Sequence, residues 1–525
     1  MKSRLYIFKK AYSLEARDHF YTAALVNGRG LIEKLFNDNE LNDYIANITN
    51  APEIFDFSNL ICLPGFFDSH VHLMQTGYNS LAIRFENCRS IKSMKERFAE
   101  ALRTRAAHES DVLIGHGFDE TAFREKRMPQ KDDLDAISKD VPIFLSRVDH
   151  HSCVVNSAFI KRYESFFKTL DKDVFKTGIL RQKPNYAIKS VLIRDFSKNV
   201  KKQAFAIAEA GALKAGVTSL CALEGGAISD RSDVYFIDEI IQKKINKLDL
   251  ILFDQSPDYS AALELELPRV GGCLLVDGSF GSKTAALGAP YKNEKMNAGA
   301  MYLDKKFMES FIEGAQLRNL QTAFHAIGDL AINSLLDCYE SVLKKQAGGI
   351  KNYLRHRIEH FELAGTSDIK RAAELGIILS MQPYFETLWG GKNGMYADRL
   401  GVKRALKTNR FKTILSCGAI IAGGSDSDVT PISPINGIHA LLNLPNENER
   451  LSIHDAVCIF TKNGAYANFM ERSHGTLACN KAANFTLIDR DIFKAASKDI
   501  EKTAIAATIV AGKVEYLNEK FHPNE

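Results

Sequence analysis

Two histidines separated by a single residue close the apolar stretch LICLPGFFDSHVHL (60–73), at His70 and His72. Further along, His325 lies in QTAFHAIGD, His360 in RHRIEHFEL and Asp426 in GAIIAGGSDSD, each towards the end of a short apolar segment. Neutral imidazole and carboxylate are the ligand types that suit zinc or a similar divalent ion. Side chains alternate along a strand, so His70 and His72 face the same side of theirs. Taken singly, each motif has a plainer reading. An H-x-H arises by chance, an interior histidine usually bonds a neighbour, and GGSDSD reads as a turn with Asp426 capping a helix. Five metal-type residues at the same end of separately assigned strands are better joined by one divalent-metal centre.

The elements that must position them alternate between short apolar strands and helix-like segments. Eight strands are expected, at 60–73, 216–224, 248–255, 271–279, 321–329, 355–363, 376–383 and 418–427. Alternating strands and helices in that number predict an α/β fold built on a closed (β/α)8 TIM-like barrel, whose active site lies at the C-terminal ends of the strands. Both ends of the chain are β-rich, with hairpin signals at Gly28, Gly30 and Gly512. A small discontinuous β-sandwich from residues 1–58 and 470–525 is therefore expected around a barrel spanning 59–469. The segment between the first two barrel strands is too long for one connection and carries strand-like runs in DVLIGHGFD and VPIFLSRVDHH, so an inserted lobe is expected over about 78–205.

Composition narrows the functional classes. The chain has 525 residues, 45% hydrophobic and 25% charged, with a formal net charge of +4. That is a globular balance, without the basic block that a nucleic-acid partner requires. The nine cysteines show no CxxC spacing, which fits a reducing cytoplasm better than a disulfide framework. The N-terminal apolar run is too short for a signal peptide, and no run reaches membrane-spanning length. A cytoplasmic protein without membrane contact is expected.

The segments LPGFFDSHVH, DGSFGSKTAAL, AFHAIGDLAI, RIEHFEL and GGSDSDV, in this order, resemble the amidohydrolase superfamily, in the family 3 branch that contains N-substituted formamide deformylase. The resemblance runs from about residue 55 to the end and takes in GHGFDETAF and RVDHHSCVVNS in the lobe and TKNGAYANFMERSHGTL in the tail. It implies a metal-dependent hydrolase of carbon–nitrogen bonds other than peptide bonds, in an amide, an N-substituted formamide or a cyclic amide. It also implies that His70, His72 and Asp426 hold one divalent ion, for which the ligand types suggest zinc. His325 and His360 then hold a second ion or the substrate side of a single one. Asp426 is the expected catalytic residue, taking a proton from metal-activated water and passing it to the leaving nitrogen.

One departure stands out. Many relatives bridge two ions with a carboxylated lysine on the fourth strand, where this chain reads GGCLLVDGS, with Cys273 near the expected position. Glu224, ending CALEGG, is expected as the better bridging candidate and Cys273 as the other. The plainer readings are a turn-capping glutamate and a small core cysteine. Substrate-binding candidates are His151 in RVDHHSCVVN, Lys283 in GSKTA and Trp389 in FETLWGGKNG, the last hinting with Phe385 at an apolar or aromatic substrate group. His116, Asp119 and Asn156 are further lobe candidates, and Arg357 is expected to pair with Glu359 within its strand. The partner is a small-molecule substrate, and a homodimer is only the default for such enzymes. Two alternatives remain at this point: a single-metal aminohydrolase of a heterocycle, and a non-catalytic binding protein on the same scaffold.

Overall fold

The computed structural model describes all residues except 1, 49–50, 86, 105–111, 121, 149–151, 182, 227–228, 346–351 and 522–525. Its central sheet contains eight parallel strands: Phe66–Val71, Val217–Glu224, Asp249–Asp254, Arg269–Leu275, Gln321–Ala326, Arg357–His360, Ile378–Met381 and Ile420–Gly423. They hydrogen-bond in chain order, the simplest ladder that strand–helix–strand units can build. Most are buried along nearly their whole length, as strands covered on both faces must be. The helix Asp329–Lys344 shows why the intervening segments become cover. Ala331, Ile332, Leu335, Leu336, Tyr339, Val342 and Leu343 recur at helical spacing and are buried, and Lys344 sits in the last turn, where a cation suits the helix dipole.

The ladder closes on itself. The Asp426 N–H donates to the His70 carbonyl at 2.8 Å, and the His72 N–H donates to the Ser427 carbonyl at 2.7 Å. Gly424 makes that approach feasible, since a Cβ there would lie 2.7 Å from the His70 backbone nitrogen. The eighth and first strands are thereby joined at the end that carries His70, His72 and Asp426.

Strands from both chain ends form a second sheet of seven: Arg4–Tyr12, Phe20–Val26, Ile32–Phe36, Glu53–Pro64, Phe485–Ile488, Ile505–Val510 and Lys513–Leu517. Glu53–Pro64 joins the two ends, pairing parallel with Arg4–Tyr12 and antiparallel with Phe485–Ile488. Tyr6, Phe57, Phe485, Leu487 and Ile509 fill its buried face. The stretch 60–73, expected as one strand, is two. Its first half belongs to this sheet as far as Pro64, beyond the boundary expected at 58, and the barrel strand starts only at Phe66. Pro64 and Gly65 form the link, with the Gly65 N–H donating to Asn484 O at 2.8 Å.

Residues 73–208 and 225–236 form a compact unit of their own, wider than the lobe expected over 78–205. Its sheet has five strands, Ile83–Arg84, Leu113–Phe118, Ile143–Arg147, Ser152–Val155 and Ile179–Arg181. Phe85, Phe98, Phe118, Leu145 and Val154 lie in its core. Asn156 is a structural pin. Its Oδ1 accepts from the Ile143 and Phe159 N–H groups, and its Nδ2 donates to the Ser138 and Val141 carbonyls. His116 is buried in this unit, and Asp119 pairs with Arg147 at 3.5 Å.

Candidate metal centre

His70, His72, His325, His360 and Asp426 are all buried at the C-terminal ends of their barrel strands. The His70 and His72 rings stand 5.4 Å apart, His70 and His360 5.0 Å, and His325 and His360 4.5 Å. Asp426 Oδ1 lies 3.1 Å from His70 Nε2 and 3.3 Å from His72 Nε2. Simple alternation would put His360 on the face opposite Arg357 and Glu359. A backbone φ of +70° at His360 breaks that alternation as the strand ends, and its ring reaches the same cluster.

Each imidazole has one nitrogen occupied by an oxygen acceptor. His70 Nδ1 donates to Glu359 Oε2 at 2.7 Å, His72 Nδ1 to the Leu223 carbonyl at 3.0 Å and His360 Nδ1 to Gln382 Oε1 at 2.7 Å. In His325 the roles are reversed, with Nε2 donating to the Gly278 carbonyl at 3.1 Å. These acceptors assign the tautomers. The remaining nitrogens face Asp426 on one side and Cys273 Sγ on the other, the sulfur lying 3.7 Å from His325 Nδ1 and 3.7 Å from His360 Nε2. His70 Nε2 is buried, with the Asp426 carboxylate and the Cys273 sulfur as its polar neighbours. Lone pairs that face a carboxylate and a sulfur need positive charge between them, and oxygen acceptors on the far ring nitrogen are what orient metal-binding histidines.

The electrostatics carry the same demand. Burial opposes a charge on His70, but Asp426 and Cys273 outweigh it and raise the imidazole pKa well above its ordinary range. His72 is pushed up to about 10 and His325 to about 9, again against burial and through Asp426 and Cys273 respectively. Burial favours the neutral acid at Asp426, yet the neighbouring histidines, His70 first, hold its carboxyl well below the usual range. Protons supply the missing charge where no ion does. Two overlapping groups have ligand atoms within 4.8 Å of one another, His70–His72–Asp426 and His70–Cys273–His360. The donor set fits a divalent metal.

Glu224 is buried at the end of the second strand, but it belongs to neither group, whereas Cys273 does. The Gly271–Gly272 pair explains how Cys273 gets there. Both glycines have positive φ, and a Cβ on Gly271 would lie 2.7 Å from the Ala323 carbonyl oxygen. The register with the fifth strand slips between Val270 and Leu274, so an irregularity re-aims the residue that follows the glycines. Lys283 pairs through Nζ with Glu294. Trp389 packs against Phe385 with ring centroids 4.7 Å apart and planes tilted by 54°, and Phe385 lies nearly parallel to the His360 ring at 6.2 Å, so Trp389 stands one aromatic ring away from the cluster. His151 lies outside the described residues.

Sequence reasoning missed the supporting shell. Arg357 does pair with Glu359 as expected, Nε to Oε1 at 2.8 Å, but Glu359 also orients His70. Asp277, in the quoted DGSFG motif, accepts from the Ile327, Gly328 and Ala286 N–H groups and stands 3.5 Å from His325 Nε2. The signal available for both was an acid inside an otherwise apolar strand end.

The Amidohydrolase family profile matches residues 53–516. The chain belongs to the Amidohydrolase family. Among curated relatives, YtcJ of Bacillus subtilis (strain 168), a protein named as an amidohydrolase, is 28% identical over 89% of this chain and 91% of its own length. The N-substituted formamide deformylase of Arthrobacter pascens is 23% identical over 98% of each. The crystal structure of a metal-dependent hydrolase from Pyrococcus furiosus superposes with a TM-score of 0.77 at 25% identity, covering 94% of this chain and all (100%) of that one. This amidohydrolase thus has a metal-dependent hydrolase fold with candidate metal ligands at the mouth of its barrel. Among the described residues, no helix is long and apolar enough to cross a membrane.

Proposed function

We propose that the protein hydrolyses a carbon–nitrogen bond other than a peptide bond in a small molecule, an N-substituted formamide, amide or cyclic amide, at a divalent-metal centre. The observation that carries this reading is the tautomer pattern: all four histidines have one nitrogen held by an oxygen and the other turned inward beside Asp426 or Cys273. His70, His72 and Asp426 would hold one ion, and His325 and His360 a second, with zinc the first metal to test. When bound, the metal supplies Lewis acidity and lowers the pKa of water to about 7.

The rest of the chemistry belongs to the chain. Asp426, kept ionised by its histidine neighbours, accepts the proton of the attacking water on a carboxylate oxygen. A carbon–oxygen bond forms, the carbon–nitrogen bond breaks, and Asp426 returns the proton to the departing nitrogen. Glu359, Gly278 and Gln382 keep His70, His325 and His360 in the tautomers that leave their inner nitrogens available. Phe385 and Trp389 offer an apolar wall next to His360, while His151 and Lys283 remain substrate-binding assignments resting on the motif resemblance. All nine cysteines are free, which supports a reducing compartment, the cytoplasm.

A single-metal aminohydrolase is the second reading, favoured by His70, His72 and Asp426 forming a ligand group of their own. Two measurements decide. Elemental analysis of protein purified without chelator is expected to give metal in the wild type and its loss in the His70→Ala/His72→Ala double variant. A panel of N-substituted formamides, amides and cyclic amides, assayed for amine and carboxylate, is expected to contain substrates, whereas ammonia release from heterocycles alone would favour the second reading. An unchanged metal content in the double variant would refute the metal centre.

A further inference from the structure

One side chain of the cluster has no part in the chemistry described so far. Cys273 is 2% exposed, and its Sγ stands at equal distances of 3.7 Å from the inner nitrogens of His325 and His360. It also shares a group of ligand atoms, all within 4.8 Å of one another, with His70 and His360. His70 belongs in turn to the group that contains His72 and Asp426. The sulfur therefore stands at the junction of the two halves of the centre. Among the described residues, no other cysteine joins a group of metal-competent side chains. Cys338, buried in the helix Asp329–Lys344, shows the ordinary alternative: its Sγ lies 3.2 Å from the Ser334 carbonyl of its own helix.

We propose that Cys273 is a bridging metal ligand, its thiolate joining an ion held by His70, His72 and Asp426 to a second ion held by His325 and His360. This rests on the reading of the site as a metal centre. On binding, the S–H bond breaks, its proton leaves to solvent and the sulfur lone pair forms the bond to metal, with no change of oxidation state. A thiolate selects differently from an oxygen ligand. It favours zinc and cobalt over magnesium, calcium and manganese, which prefer oxygen. The metal preference of this chain should be correspondingly narrow.

Cobalt(II) tests the proposal without a substrate, because a thiolate bound to cobalt produces an intense near-ultraviolet charge-transfer band. Full-length protein stripped with chelator is titrated with cobalt(II) as wild type, Cys273→Ser, Cys273→Ala and the control Cys338→Ala, with thermal melting as the check that each is folded. The wild type and the Cys338→Ala control are expected to take up two equivalents and show the band. Both Cys273 variants are expected to lose the band and one equivalent, while the equivalent at His70, His72 and Asp426 remains. A band that survives Cys273→Ser, cobalt uptake by the wild type without a band, or saturation of the wild type at one equivalent would overturn the bridge and leave the histidine centre standing. No cobalt uptake by the wild type would overturn the metal centre itself.

Discussion

Two buried histidines lie at opposite ends of the sixth barrel strand, and their ring nitrogens are used differently. His356, just before the strand, accepts on Nδ1 from the Thr322 N–H at 3.0 Å, and its Nε2 donates to Gln316 Oε1 at 2.8 Å. Both ring nitrogens are thus used in the neutral form, and burial lowers its pKa to about 3. His360, at the other end, donates from Nδ1 to Gln382 and leaves Nε2 facing a sulfur. The residue type and the strand are the same, but the tautomer differs. A buried histidine is structural when a backbone N–H claims its lone pair, and available for chemistry when only acceptors reach its far side.

Arg357 lies between the two ends and gives the severest way to break that contrast. It is fully buried, donating to both oxygens of Glu359, to the Ser69 carbonyl and to Ser380 Oγ. Arg357→Met leaves the buried Glu359 without its guanidinium partner and with only His70 beside it, for which a loss of about 3–5 kcal/mol is expected. Urea unfolding should register that loss at the base, and elemental analysis should show a lowered metal content at the mouth. A variant with wild-type stability would mean that the two ends are not mechanically joined.

His356→Ala comes next. It strands the Thr322 N–H and the Gln316 amide oxygen and removes a packed ring, at an expected cost of about 2–3 kcal/mol. Metal content per folded chain should stay at the wild-type level. For His360→Ala the pattern inverts, with the larger effect on metal content. Similar effects of both on metal would erase the distinction between base and mouth.

Much of this layout was legible in the sequence, for physical reasons. Barrel strands announce themselves as short apolar runs, and the polar residues that the barrel tolerates gather where they end. His70, His72, His325, His360 and Asp426 could therefore be assigned to one mouth from the sequence pattern. What pins them could not. Glu359 was visible as a neighbour of Arg357, but its contact with His70 spans 289 positions and depends on how the barrel closes. The turn that brings His360 inward requires a positive φ, which a strand pattern does not encode. Cys273 stood out by position, while Glu224 was preferred on chemistry alone. The irregularity at Gly271–Gly272 places the sulfur in a group of ligand atoms to which Glu224 does not belong. The lobe was the least legible region. Its strands Ser152–Val155 and Ile179–Arg181 are too short to show a period.

A smaller effect sharpens the mouth alone. Glu359→Gln keeps the shape and an acceptor for His70 but removes the charge behind it. Loss of such an orienting carboxylate typically weakens metal binding about 10- to 100-fold. A competition titration against a metal-chelating dye should read that change. If affinity stays within about twofold, His70 is oriented by packing and the acid behind it is incidental.

The finest test is the pH dependence that His356 alone should impose. With a native pKa of about 3 against the ordinary value near 6.5, the native state stays unprotonated there while the unfolded state takes up a proton. The unfolded state therefore binds more protons between those values, so stability falls as pH drops from about 6.5 towards 3, by at most about 1.4 kcal/mol per pH unit. His356→Gln removes this component and can keep one hydrogen bond, so it should be less stable than wild type at pH 7 and progressively less disadvantaged in acid. Comparing two metal-depleted proteins keeps the mouth histidines common to both, and urea midpoints at pH 7 and at mildly acid pH supply the difference. A gap that closes on acidification identifies His356 as a neutral structural histidine. A constant gap would mean that it titrates as freely as an exposed one, and the contrast with His360 would then have to rest on the metal-binding results alone.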